Sequence, residues 1–247
     1  MNDRRASIGS TRWASLVLLA LALGLPAAPG AAAETGAQQK DREAPKFYLT
    51  GLVGGSWATG DAEGTTTSGG TLSGSSDASS AFGGAALGTI LDLRHVDLRL
   101  ELEGTGGRSF QFVQPSNVGS FVTDVDVWTL QGNFWFEYPL RRVFPEVPVV
   151  RNLAPFAGGG LGVSGLSMTT SGAGFAGTDD SYAFAWQGGF GLSYQPVEWL
   201  SFEARYQYAD LGGPSVSLQG GANQGSLDMD LGANEIIGGI RFTFSEL

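Results

Sequence analysis

Residues 96–110, VDLRLELEGTGGRSF, put Val96, Leu98, Leu100 and Leu102 on one side of an extended chain and Asp97, Arg99, Glu101 and Glu103 on the other. Strict apolar/charged alternation has the period of a β-strand and no match to a helical stripe. Residues 199–211, WLSFEARYQYADL, repeat the pattern, with Leu200, Phe202, Ala204, Tyr206 and Tyr208 opposing Ser201, Glu203, Arg205 and Gln207. Around these two, six further segments alternate: Lys46 to Trp57, Ala81 to Leu91, Asp124 to Tyr138, Pro155 to Met168, Tyr182 to Gln195 and Asn234 to Phe244. Each approaches the 9 to 11 residues, roughly, with which a tilted strand crosses a bilayer. The expected fold is all-β, an eight-stranded antiparallel up-and-down transmembrane barrel over residues 46–247.

The links between segments support a membrane orientation. Those after the first, third, fifth and seventh are long and polar, and those after the second and sixth are very short, as with external loops and periplasmic turns. Residues 61–80, DAEGTTTSGGTLSGSSDASS, are Gly/Ser/Thr-rich and are expected to form a mobile external loop. Residues 140–152, LRRVFPEVPVVRN, form a longer turn stiffened by Pro145 and Pro148. Aromatics gather at segment ends as interfacial girdles do: Phe47, Phe136, Tyr138, Tyr194, Phe242 and Phe244 at the periplasmic end, and Trp57, Trp128, Tyr182 and Tyr208 nearer the loops.

The N-terminus reads as an export signal. Arg4, Arg5 and Arg12 precede the apolar run Trp13 to Leu25, and small residues end at Ala31-Ala32-Ala33. Cleavage after about Ala33 would leave residues 34–45 as a short periplasmic lead. It would remove three arginines and Asp3, taking the formal charge from −10 to −12. So acidic a chain, without a basic stripe, is not expected to bind nucleic acid. The absence of cysteine excludes disulfides and thiolate metal sites.

These features resemble the eight-stranded outer-membrane barrel superfamily that includes the OmpA-type transmembrane domain, the OmpX/Ail group and the opacity-type porin family. The resemblance rests on FYLTGLVGGSW (47–57), PFAGGGLGV (155–163), AFAWQGGFGLSY (183–194), LSFEARYQYADLG (200–212) and NEIIGGIRFTF (234–244), in that order. It implies location in the outer membrane of a Gram-negative bacterium, contact with outer-membrane lipids, and insertion by the outer-membrane assembly machinery. That machinery favours an aromatic end to the closing strand. Here Ser245-Glu246-Leu247 follow Phe244.

Facing assigns the polar side chains to the lumen. Arg99, Glu101, Glu103, Glu137, Glu203, Arg205, Glu235 and Arg241 are expected to form a charge network, because buried charges must pair. Arg205 is expected to meet Glu101 and Glu203, with Arg99, Glu137 and Arg241 in a lower layer. A plugged barrel with a structural or surface-interaction role through acidic external loops is the first reading. A narrow porin gated by Arg205, an OmpW-like lateral path for small solutes, and a soluble periplasmic lipocalin-like binder are the alternatives.

External-loop carboxylates, among them Asp61, Glu63, Asp77, Asp124, Asp126, Asp179, Asp180, Asp210, Asp228 and Asp230, outnumber Arg108 there and predict a negative outer face, open to cations or surface ligands. The spacing of a calcium loop is missing, so no metal or cofactor site is expected. The single histidine, His95, falls in a periplasmic turn without a nucleophile beside it. No enzymatic activity is expected, and the barrel is expected to be a monomer.

Overall fold

The computed structural model describes residues 45–244 except 68, 70 and 118. The expected signal peptide, most of the periplasmic lead, and Ser245-Glu246-Leu247 lie outside the described residues. Nine strands follow in chain order: β1 (Lys46–Thr66), β2 (Thr71–Asp92), β3 (Asp97–Ser116), β4 (Gly119–Glu137), β5 (Leu153–Gly172), β6 (Phe175–Val197), β7 (Leu200–Gly212), β8 (Ser215–Gly220) and β9 (Asn223–Phe244). Each is antiparallel to its neighbours, and β9 pairs with β1 from Phe47↔Phe244 to Thr66↔Gly225, which closes the ring. β7 and β8 both pair along β9, so they are two pieces of one stave. Pro214 between them has no N–H to give a ladder. The ring therefore has eight staves, as expected, built from nine strands.

The staves are longer than the sequence suggested, β2 and β9 by a factor of two. β1 has 21 residues, about 70 Å of chain at roughly 3.3 Å per residue, against a hydrocarbon layer of about 30 Å. The stretches read as long external loops are continuations of strands. Asp61 pairs with Ser75 and Thr65 with Thr71, so the expected mobile loop at residues 61–80 is a regular hairpin. Polar composition suits this strand because its outer half stands in water.

The polarity of the two faces is exchanged along several staves. In the lower half of β4, Leu130, Phe134 and Phe136 point outward while Gln131, Asn133 and Glu137 are buried inside. In its upper half Asp124 and Asp126 point outward, and Phe121, Val125 and Val127 are buried. β9 behaves alike: Ile236, Ile240 and Phe242 are exposed below, whereas Leu227, Met229 and Leu231 are buried above. An apolar exterior suits lipid and a polar exterior suits water, so the change marks the outer edge of the hydrocarbon layer. The ten expected girdle aromatics all project outward, Trp57 and Trp128 at the level of the change. Trp128 lies over Gly165, where a side chain would leave it no room, and meets Tyr182 edge-on at 6.1 Å. Trp199 and Phe242, stacked at 6.2 Å, extend the periplasmic belt.

A bulge in β3 sets this inversion locally. Thr105 pairs with Thr129 but Arg108 pairs with Val127, so Gly106-Gly107 insert one extra residue. Gly107 has φ +84°, a conformation that glycine adopts without strain. One extra residue exchanges the two faces. Arg99, Glu101, Glu103 and Thr105 face inward below it, and Arg108, Phe110, Phe112 and Gln114 face inward above.

Two places interrupt the ladder. Between β2 and β3 pairing lapses from Leu72↔Ser116 to Gly83↔Gly106, and between β6 and the β7/β8 stave from Ala176↔Gln219 to Trp186↔Asp210. Both lapses lie in the upper half, on opposite sides of the ring. Across these lapses the wall divides into two four-stranded parts, β8-β9-β1-β2 and β3-β4-β5-β6, which pair again at Leu72↔Ser116 and Ala176↔Gln219. Their inner faces share one apolar cluster that includes Phe110, Phe112, Phe121, Met168, Leu227 and Met229. This is sandwich packing on top of a closed barrel.

Arginine scanning tests the boundary. Leu102→Arg, in the lipid-facing band, is expected to cost about 2–4 kcal/mol of folding free energy in lipid vesicles. Gln111→Arg, nine residues on and facing water, is expected to stay within about 0.5 kcal/mol. Urea titration followed by gel mobility of unheated samples measures both.

Candidate functional site

The lower lumen holds a connected polar network. Inward-facing alternate residues of β1, β3, β4, β6, β7 and β9 supply it, because apolar neighbours in the sequence are held outward by lipid. At the periplasmic end Arg99 pairs with Glu101, with Glu137 at 3.0 Å and with Glu203 at 3.2 Å. Arg241 shares Glu137 at 3.2 Å, and Ser193 donates to the same carboxylate at 3.2 Å. Glu101 also accepts from the Tyr48 hydroxyl at 2.7 Å and the Trp135 indole at 3.0 Å. Arg99 and Arg241 flank the Tyr48 ring, each 5.5 Å from its centroid. Every guanidinium in this layer has more than one acidic or aromatic partner, which offsets its loss of water.

Above it Arg205 reaches both oxygens of Glu103, at 2.8 and 2.7 Å, with its guanidinium 5.2 Å from the Trp135 centroid. Asn133 donates to Glu103, Gln187 to Asn133, and Gln207 to both Gln187 and Glu235, at 3.2, 2.9, 2.8 and 2.8 Å. Glu235 links this chain to the uppermost polar layer. It accepts from Ser56 at 2.9 Å and from Arg108 at 2.8 and 3.1 Å, and Arg108 continues through Thr105 to Thr129. The Arg108 guanidinium packs 3.9 Å from the Phe82 ring centroid. Beyond this layer begins the apolar cluster of the upper sandwich.

The structure brings all eight sequence-selected lumen residues to the interior and changes some of their pairings. Arg205 pairs with Glu103, and Glu203 with Arg99; the expected direct meeting of Arg205 with Glu101 and Glu203 is absent among the described contacts. Both pairings run across the barrel, where strand alternation gives no distance. Arg108, read as an external residue, is only 2% exposed and lies inside, because the Gly106-Gly107 bulge reverses its face. The acidic residues assigned to loops instead stand on strands, on the outer face except for Asp179, which is paired with the inward Met168. Tyr48, Trp135, Asn133, Gln187 and Gln207 were missed. Each shares the inward phase of its strand, so facing, without regard to charge, would have found them.

A longer turn stands at the periplasmic end as well. The proline-rich turn after β4 contains two 3₁₀ turns, Leu140–Arg142 and Val150–Asn152. It carries Arg142 to Asp97 at 2.7 Å and Asp92 at 3.2 Å, under the β2–β3 turn. His95 in that turn is exposed.

A family model described as outer membrane protein beta-barrel domain matches residues 16–244. The chain belongs to the outer-membrane β-barrel protein family. Membership places it in the outer membrane and sets aside the soluble lipocalin-like reading. Solved structures similar to it include Neisserial surface protein A, at 14% identity over 80% of this chain and 97% of that one, TM-score 0.42. The outer membrane protein OprG from Pseudomonas aeruginosa is 17% identical over 79% of this chain and 95% of that one, TM-score 0.44. A major outer membrane protein from Thermus thermophilus is 9% identical over 77% and 99%, TM-score 0.45. A search of curated proteins gives no match.

Breaking one buried pair tests the network. Glu235→Ala strands the Arg108 charge and is expected to cost about 3–5 kcal/mol. Replacing Arg108 and Glu235 together by methionine is expected to recover most of that loss. Equilibrium unfolding of the refolded barrel in detergent micelles reads both variants.

Proposed function

We propose that the protein is a closed, non-conducting outer-membrane barrel that carries an acidic two-sheet module above the cell surface, where its interactions take place. The observation that carries this reading is the lumen, filled first by the ionic network and then by the apolar cluster of Phe110, Phe112, Met168 and their neighbours. Water and ions crossing it would have to displace both. An eight-stave ring leaves an interior just wide enough for side chains. On the outside, Asp61, Glu63, Asp77, Asp228 and Asp230 give one sheet a negative face suited to cations or basic ligands. The working unit in this reading is a monomer among outer-membrane lipids, inserted by the assembly machinery. No catalytic step enters it.

A narrow pore is the second reading. It is favoured by Thr50, Ser201 and Arg241, neighbours on three staves whose buried hydroxyls and Nε have no protein partner, as groups hydrated from the periplasmic end would have. Single-channel recording of the refolded protein in planar bilayers separates the two. Silence is expected from the wild type and from Thr50→Val. Steady unitary openings of the wild type that Arg205→Ala alters would overturn the closed-barrel reading.

A further inference from the structure

The exterior sandwich has two seams, and they differ in chemistry. At the β6 seam the edge is blocked. Pro214 interrupts the stave, Ser164 donates to the Leu211 carbonyl at 2.6 Å, and Asp210 accepts from the Gly212 N–H at 3.0 Å and the Trp186 indole at 3.1 Å. Proline, bulges and side-chain caps are the devices that stop an open edge from pairing with another chain.

The β2 side of the other seam has no proline, and its side-chain caps are confined to its two ends, at Thr71 and at Ser80. Ser73 to Phe82 read SGSSDASSAF, without proline, lysine or arginine. Over this stretch the ladder to β1 is unbroken, from Ser73↔Glu63 to Phe82↔Gly54, while that to β3 is missing. The edge is therefore held straight by one neighbour and is without a backbone ladder to the other, β3, which still runs beside it. Its inward residues Gly74, Ser76, Ala78 and Ser80 are small and only partly buried, and a side chain at Gly74 would meet nothing within 4 Å. One side-chain bond crosses the seam, from the Ser109 N–H to the Ser80 hydroxyl at 2.9 Å. Leu72↔Ser116 and a bond from the Thr71 N–H to Asn117 at 3.1 Å close its top.

Charge specifies what fits. On the outer face beside this edge Asp61 stands directly opposite Asp230, and Glu63 opposite Asp228; Asp77 lies on the edge strand itself. Like charges directly opposite on a sheet are destabilising. Among the described residues no lysine or arginine lies on the outer face of the upper part of β8, β9, β1 or β2 to relieve them. A second copy of this chain would bring the same carboxylates to the edge and be repelled.

We propose that the Ser73–Phe82 edge of β2 is a strand-addition site for a basic, extended polypeptide segment of another protein. The partner's backbone pairs with the open edge, and its lysine or arginine side chains lie over the Asp61, Asp77 and Asp230 face. The Ser109–Ser80 bond is given up on binding, and β3 moves aside by about one strand spacing, ~4.8 Å. The closed ladder below, from Gly83↔Gly106 to Asp92↔Asp97, keeps the membrane barrel intact. Strand addition supplies affinity through main-chain hydrogen bonds and leaves side chains to supply specificity. The proposal rests on the reading that the exterior module is the working part.

The test uses the whole refolded barrel in detergent micelles and three ten-residue probes: alternating Lys–Thr, alternating Glu–Thr, and the Lys–Thr peptide N-methylated at every second residue. Hydrogen exchange is read by mass spectrometry. The expected result is binding of the Lys–Thr peptide with slowed exchange over residues 73–82. Binding should be at least tenfold weaker for the Glu–Thr and N-methylated peptides, and at least tenfold weaker with Asp77→Lys, whose folding is checked by gel mobility. Equal binding of the N-methylated peptide would reduce the site to charge attraction and overturn the proposal. No binding, or protection elsewhere than residues 73–82, overturns it too. Protection of residues 73–82 that rises with protein concentration in the absence of peptide makes a second copy the occupant and likewise overturns it. A protein that conducts in planar bilayers yet binds the peptide at this edge would overturn the closed-barrel reading alone.

Discussion

Inside a hydrocarbon layer every backbone N–H and C=O must find its partner within the protein, because unsatisfied groups there cost several kcal/mol each, roughly. For a chain made of strands only a closed ring meets this demand. The unbroken register from Phe47↔Phe244 upward on one side of β1, and from Lys46↔Ile90 on the other, is that requirement in residues. Closure constrains both faces of the wall. Side chains that share the lipid phase must be apolar, and whatever polarity the strands carry is confined to a narrow lumen where charges must pair.

Where the same strands leave the membrane the constraint is lifted, and the architecture changes with it. Water can satisfy open strand edges, so the ladder is allowed to lapse, and its two long lapses lie above the inversion of facing. Two opposite lapses divide the wall into two four-stranded parts, which can then approach and bury an apolar core such as no membrane lumen would favour. The lower half is held shut by hydrogen bonds and ion pairs, the upper half by Phe110, Phe112, Met168 and Met229 packed out of water. One set of staves thus carries two solvents' worth of patterning. The junction is marked by Trp57, Trp128 and the Gly106-Gly107 bulge.

The lumen and the exterior also divide the chemistry. Five glutamates and four arginines meet inside, Glu101, Glu103, Glu137, Glu203 and Glu235 with Arg99, Arg108, Arg205 and Arg241, so the interior is nearly neutralised by itself. The strong negative charge of the chain is consequently left for the surface. It is concentrated on the strands that project from the membrane, beside the edge that lacks protection.

The eight staves, the lipid-facing phase of their alternation and eight of the charged lumen residues, though not Arg108 or the uncharged members of the network, were legible in the sequence, because lipid enforces alternation of period two and that period survives in residues 96–103 and 199–208. The length of the staves was not. Polar Ser/Thr/Gly sequence such as residues 61–80 has no pattern that separates a solvated loop from a strand whose outer face is wet. The side on which Arg108 falls was hidden too, since one extra glycine exchanges the faces without altering composition. Partner choice across the lumen, Arg205 with Glu103 and Arg99 with Glu203, depends on stagger between strands far apart in the chain. Fold class and the identity of the lipid-facing side chains follow from local periodicity, so the order of residues alone is enough to establish them. The bulge phase, the two seams and the ion pairs emerge only in three dimensions, because they depend on register between strands, which no single strand encodes.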